Sequence, residues 1–378
     1  MRLGWLAVGM MVMAGAGCDE DPASVASYDW DLPKGFPTPA VPDDNPMSTE
    51  KVELGRRLFF DTRLSDNSTQ SCGGCHKQEN AFAESLLTSV GSTGQDHFRN
   101  AMSLTNVAYN TVQTWSSSVV RTLEAQALIP MFGEDPVELG LSGKEAELFA
   151  RLEAEPIYQD LFPVAFPEEG GAINLSTITK ALAAFERTLI SGDSPYDKFW
   201  YQQDVAALTQ SEVRGLELFL SERTECFHCH GNFNFSDSTA HDSSAFEEFS
   251  FHNTGLYNVD GAGAYPSTDR GLMDLTGRDE DMGRFRAPTL RNIALTAPYM
   301  HDGSIATLEE VLGHYMAGGR TITEGPNAGD GSMNPLKSNF IKGFTLTDTE
   351  REDMLAFLRA LTDETFIHDP RFANPWVE

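Results

Sequence analysis

Cys72-Gly73-Gly74-Cys75-His76 and Cys226-Phe227-His228-Cys229-His230 are two copies of one pattern, Cys-x-x-Cys-His, and their reading decides the fold. The 378-residue chain has five cysteines, and with Cys18 set aside every remaining thiol falls inside one of the two copies. Two cysteines at this spacing can add across the two vinyl groups of a haem, and the histidine that follows can swing its imidazole onto the iron as proximal ligand. A pair of exported disulfides or a Cys/His zinc site would accept the same Cys-x-x-Cys spacing. Neither needs a histidine directly after the second cysteine in both copies. The pattern therefore implies two covalently bound haem c groups on Cys72, Cys75, Cys226 and Cys229, with His76 and His230 as iron ligands.

Working outward, Gly55-Arg-Arg-Leu-Phe59 precedes the first copy and Gly215-Leu-Glu-Leu-Phe219 the second, each at helical spacing, as an internal duplication would leave them. Apolar residues on one face predict a helix over 178–189 that closes the first half. Thr347-Asp-Thr-Glu350 is a capping-box pattern that opens another over 348–361. The fold class expected is mainly α, with two tandem cytochrome c-like domains over 47–205 and 206–378. Gly, Ser and Asp dominate between Phe235 and Met282, so long loops are expected over the second haem. Arg2 and the apolar run to Gly17 predict a signal peptide over 1–17, too short to span a bilayer, and hence an exported, periplasmic protein. Small residues before Cys18 resemble a lipoprotein processing site, which would make a lipid on Cys18 the one membrane attachment. Residues 18–46, acidic and Pro-rich, read as a tether. With 27 Lys+Arg against 56 Asp+Glu the net charge is −29, which excludes nucleic acid as a partner and favours basic ones.

Over nearly all of residues 47–365 the chain resembles the bacterial di-haem cytochrome c peroxidases and their relative MauG. The run from Arg286-Ala-Pro-Thr-Leu-Arg-Asn-Ile to Thr296-Ala-Pro298-Tyr-Met-His301-Asp-Gly carries much of that resemblance. Within the family it is most similar to the MauG-like enzymes that accompany methanobactin genes, called MbnH, through Asp31-Leu-Pro-Lys-Gly-Phe, Asp44-Asn-Pro-Met, Phe251-His-Asn-Thr-Gly-Leu-Tyr and His314-Tyr-Met-Ala-Gly-Gly. The resemblance implies the di-haem peroxidase/MauG architecture, with a peroxide-reactive haem in the first domain and an electron-transfer haem in the second.

It also implies particular site residues. Gln126 and Glu138 match the distal pair of the first haem, and a carboxylate there suits the proton transfer that splitting a peroxide O–O bond requires. In the peroxidases a histidine caps the resting first iron from the loop before Arg99-Asn100; here Ser92 stands at that position, which implies an open five-coordinate site. His97, five residues on, is the one side chain that would close it if the loop folds differently; beside Asp96 it reads as a surface histidine. The second haem takes its further axial ligand fourteen residues after His301, at Tyr315, and a shift of one residue would substitute Met316. A phenolate lowers the iron potential and a thioether raises it, so this choice separates storage of oxidising equivalents from acceptance of electrons. Trp115 matches a Trp that carries electron holes between the haems. Asn100, Thr296 and Pro298 match the ligands of a calcium ion, and such oxygen donors suit that metal.

The activity implied is that of an oxidase that uses hydrogen peroxide to form high-valent iron and oxidises a protein partner at long range. For an MbnH-like enzyme that partner is a Trp of the copper-binding protein MbnP. The alternative is a peroxidase that reduces hydrogen peroxide with electrons from a small redox protein. A non-enzymatic di-haem carrier would need two saturated irons, contrary to the open site expected.

Overall fold

The computed structural model describes residues 28–246 and 249–376. The signal peptide read over 1–17 and the lipidation read at Cys18 lie outside the described residues. Helices dominate: α1 (Thr49–Phe59), α2 (Cys72–Cys75), α3 (Leu123–Phe132), α4 (Glu145–Glu153), α5 (Pro156–Ala165), α6 (Leu175–Arg187) and α7 (Pro195–Trp200) precede α8 (Gln210–Phe219), α9 (Phe227–His230), α10 (Met273–Thr276), α11 (Leu308–Ala317) and α12 (Asp348–Arg359). The one sheet among the described residues is a two-residue antiparallel pairing of β1 (Thr321–Ile322) with β2 (Gly329–Asp330). No helix of the described residues is long and apolar enough to cross a membrane.

The duplication is physical. Helix α1 starts where the Ser48 side chain accepts the Lys51 N–H, carries Glu50 in its first turn and Arg56 and Arg57 in its last, and buries Leu54, Leu58 and Phe59. Those ends match the helix dipole. In the other half Thr209/Glu212 and Thr347/Glu350 form capping boxes that open α8 and α12. A side chain on Gly55 would put its Cβ 1.9 Å from the Ala181 carbonyl oxygen of α6, and one on Gly215 would lie 2.0 Å from that of Asp353 in α12. Each repeat thus crosses its two long helices at backbone contact, a closeness that only glycine permits. Around the first crossing lie Leu58, Phe59, Leu182 and Phe185; around the second lie Leu216, Phe219, Met354 and Phe357.

Two expectations need correction. The segment read as a tether is packed from residue 28 onward, not free. Phe36 is buried with its ring 5.1 Å from that of Phe233 and 6.3 Å from that of Tyr109, Arg291 sits over it, and the Tyr109 hydroxyl donates to the Pro37 carbonyl. Burying one such phenyl ring is worth roughly 2–3 kcal/mol, enough to hold a short acidic segment down. The boundary at 205/206 is also crossed in both directions. Tyr196 of α7 packs in the second core, whereas Phe366 and Phe372, after α12, return to the first core with ring centroids 5.6 and 6.5 Å from Phe82. The loops expected between Phe235 and Met282 are present, interrupted by the short α10 and a 3-10 turn at Asp279–Asp281.

Candidate active site

Each Cys-x-x-Cys-His motif forms a one-turn helix beside a cavity, and no disulfide joins the four cysteines. The proximal histidines are held identically. His76 Nδ1 lies 2.9 Å from the carbonyl of Phe82, and His230 Nδ1 lies 2.9 Å from that of Phe235. A carbonyl can only accept, so Nδ1 carries the proton and Nε2 keeps its lone pair for a metal. Both acceptor residues have left-handed backbone, φ 57° at Phe82 and 51° at Phe235, which turns the carbonyl onto the ring. Burial lowers the pKa of both imidazoles, keeping them neutral and fit to ligate.

The first cavity is lined by Cys72, Cys75 and His76 together with Gln126, Met131, Glu138, His97 and Glu186. Gln126 is presented by α3, which Thr122 caps by accepting the Ala125 N–H. Glu138 is fixed through its backbone: its carbonyl accepts the Ser92 N–H at 2.7 Å, and Leu139 N–H donates to Pro130 at 2.9 Å. Ser92 itself does not line the cavity; its hydroxyl lies beside Gly140 and Asp66. His97 is the correction here. Rather than a surface residue beside Asp96, it is a cavity residue with Nε2 3.4 Å from Glu138 Oε1. Its loop runs that way because Gly91 is pressed against the strip carrying Glu138: a Cβ there would sit 1.8 Å from the Val137 oxygen. Glu186 is buried on α6, and burial raises its carboxyl to about 8, against the smaller pull of Arg187.

The second cavity is lined by Cys226, Cys229, His230, Tyr315, Trp115, His252, His301 and Arg286, with Phe219, Met354 and Leu358 as apolar walls. Tyr315 on α11 is half-buried in the wall of this cavity, and desolvation pushes its phenol up. Met316 does not line the cavity; its side chain packs against the second core. His314 also stays outside the lining, its pKa lowered to about 4 chiefly by burial, with Arg320 and Lys337 adding to the effect. His252 Nε2 lies 2.6 Å from Asp237; burial lowers the ring's pKa most, but Asp237 and the Cys229 sulfur together raise it to about 10. Arg286 is buried, donates to the Thr114 carbonyl, Asn110 and the Met102 sulfur, and forms no ion pair among the described residues, Asp237 acting on it only at a distance. A buried cation that forms no ion pair fits a haem whose carboxylate side chains would neutralise it.

Residues 97–104 run between the two cavities. His97 lines the first, Asn100 the second. The Trp115 indole N–H donates to the Asn100 carbonyl at 3.0 Å, and Trp115 borders the second cavity and not the first. Asn100 donates its side-chain amide to Leu86 and shares the second cavity's lining with Thr296 and Pro298. Its carboxamide oxygen, and the carbonyls of Thr296 and Pro298, accept no hydrogen bond among the described residues. Arg99 forms a two-point ion pair with Asp269, at 2.7 and 2.8 Å.

Sequence reading missed Arg286, His252 and Glu186, and also a second trace of the duplication. Asn106 and Asn292 both take left-handed backbone and both open a short 3-10 turn, Val107–Tyr109 and Ile293–Leu295. The signal was legible as Asn-Val-Ala against Asn-Ile-Ala.

A family model described as di-haem cytochrome c peroxidase matches residues 49–205. The cytochrome-c peroxidase IdrP1 of Denitromonas iodatirespirans is 33% identical over 365 residues, 92% of this chain and 91% of that one. The methylamine utilization protein MauG of Methylorubrum extorquens is 33% identical over 334 residues, 88% of this chain and 83% of its own length. Among solved structures, a MauG-like protein associated with microbial copper homeostasis superposes with a TM-score of 0.90 at 51% identity, covering 93% of this chain and all of that one.

Proposed function

From the premise that the chain belongs to the family of di-haem cytochrome c peroxidases and MauG, with two haem cofactors and oxidoreductase activity, we propose that it is a MauG-like oxidase. It takes hydrogen peroxide at the first haem and withdraws electrons from a protein partner. The observation that carries this reading is that Tyr315, and not Met316, lines the second cavity. A hard oxygen ligand favours an oxidised metal, whereas the thioether of the peroxidase arrangement favours electron uptake. Likeness to a MauG-like protein associated with microbial copper homeostasis supports a copper-binding protein as the partner, and a Trp of that partner is the oxidised group in this reading.

When bound, the two haems supply peroxide activation and hold the oxidising equivalents. The polypeptide supplies the rest. His76 and His230, neutral and oriented by Phe82 and Phe235, present Nε2 as proximal ligands. Cys72, Cys75, Cys226 and Cys229 hold the groups covalently. Glu138 accepts a proton from one peroxide oxygen and returns it to the other, with Gln126 holding the substrate by its amide. Trp115, its N–H fixed on the Asn100 carbonyl, passes electrons between the halves. The three oxygens of Asn100, Thr296 and Pro298, to which no hydrogen-bond donor is directed among the described residues, are a ligand set suited to one calcium ion. Export and a lipid on Cys18 belong to the same reading.

A copper-binding candidate partner, incubated with the holoenzyme and peroxide, is expected to gain oxygen on one Trp by mass spectrometry. The cytochrome c peroxidase reading has its own support in the likeness to IdrP1. Fast steady-state turnover with reduced cytochrome c and no partner oxidation would establish that reading instead.

A further inference from the structure

The mechanism above leaves His97 without a task, although it faces the same cavity as Glu138. Its two ring nitrogens are distinguishable by their partners. Nδ1 lies 3.0 Å from the backbone N–H of Arg99, and a backbone N–H can only donate, so Nδ1 is the acceptor. The neutral ring therefore carries its proton on Nε2, the atom 3.4 Å from Glu138 Oε1. A nitrogen that carries a proton has no lone pair for a metal, so this tautomer is a donor to the carboxylate rather than a cap on the first iron.

The ring is also held still. The His97 N–H donates to the Ser89 carbonyl at 2.8 Å, and the ring stacks on Phe98 with centroids 5.0 Å apart. Arg99, which sets the tautomer, is clamped by Asp269 at 2.7 and 2.8 Å and by the Ser116 hydroxyl at 2.7 Å. Glu138, in contrast, has a side chain 36% exposed and makes no side-chain hydrogen bond among the described residues; its sole contact at ion-pair distance there is the 3.4 Å approach of His97 Nε2. Without it the carboxylate is free to turn into water.

We propose that His97 is a positioning residue which, through Nε2–H, holds the Glu138 carboxylate over the open face of the first cavity. This rests on the reading of Glu138 as the distal acid–base group. The test is a double-mutant cycle in the haem-loaded protein with His97→Ala, His97→Gln, Glu138→Gln and the double variant His97→Ala/Glu138→Gln. Two quantities are read: fluoride affinity of the resting ferric first haem, which needs a neighbouring proton donor, and the rate at which peroxide bleaches its signal. His97→Ala is expected to weaken both about tenfold, a part of the hundredfold or more that a general acid–base group supplies. His97→Gln, whose amide N–H reaches the same place, should recover most of the loss. The double variant should match Glu138→Gln alone, because two residues acting as a unit are not additive. Wild-type values in His97→Ala, where Glu138→Gln loses both, would overturn the proposal, as would additive losses. A resting low-spin first haem that turns high-spin in His97→Ala would make His97 an iron ligand and overturn it too. If Glu138→Gln itself is silent, the reading of Glu138 fails first and the inference falls with it.

Discussion

The two halves share their proximal apparatus and differ on the opposite side of each cavity. Helices α6 and α12 carry Ala184-Phe-Glu-Arg-Thr-Leu189 and Ala356-Phe-Leu-Arg-Ala-Leu361 at matching places, and Glu186 lines the first cavity where Leu358 lines the second. Glu138, Gln126 and His97 face the first cavity; Tyr315, on α11, faces the second. The His-to-carbonyl bonds are 2.9 Å in both. Duplication preserved what holds a haem, and divergence was confined to what meets its other face. An enzyme with one reactive and one storing centre needs that division.

Glu186 is the sharpest difference and carries the largest expected effect. Its folded pKa of about 8 lies above the ordinary 4.5, so the folded state binds a proton that the unfolded chain releases. Stability from this site is therefore full below pH 4.5, falls as pH rises from 4.5 to 8, and is then lost. The expected loss is up to roughly 5 kcal/mol. Glu186→Gln should remove that slope, so its melting temperature should gain on the wild type at about pH 8.5 and not at about pH 4.5. Equal pH profiles would show that the acid is solvated.

Next in size, Glu138→Gln should slow peroxide bleaching of the first haem by about 100-fold, or about 2.7 kcal/mol, while the spectrum of the second stays unchanged. Stopped-flow absorbance measures this; an unchanged rate would remove the acid–base role. Smaller still, Gly55→Ala and Gly215→Ala should each cost about 1–3 kcal/mol in denaturant unfolding, because a methyl must push two helix backbones apart. A large loss at one glycine alone would break the equivalence of the halves.

The proximal apparatus was legible because covalent haem attachment demands a contiguous motif, and the helix crossings because Gly-x-x-Leu-Phe recurs with its caps. Other features depended on chain routing. Phe36 sits in a Pro-rich stretch with no periodicity, yet one aromatic ring finds a slot between Tyr109 and Phe233. Phe366 and Phe372 lie in short turns after the last long helix, and nothing local says that they pack in the other half's core. His97 faces Glu138 because Gly91 lets two loops touch, a contact between residues far apart in sequence. Tyr315 and Met316 differ by one helical position, about 100° of rotation, which composition cannot resolve and packing does.

Electron paramagnetic resonance of the resting diferric protein, repeated after one equivalent of hydrogen peroxide, tests the division of labour most directly. The account predicts one high-spin haem at the first site and one low-spin haem at the second, both signals vanishing together after peroxide into a long-lived state. Two low-spin haems that respond to peroxide only after partial reduction would contradict it, and the protein would then be a peroxidase that must first be activated.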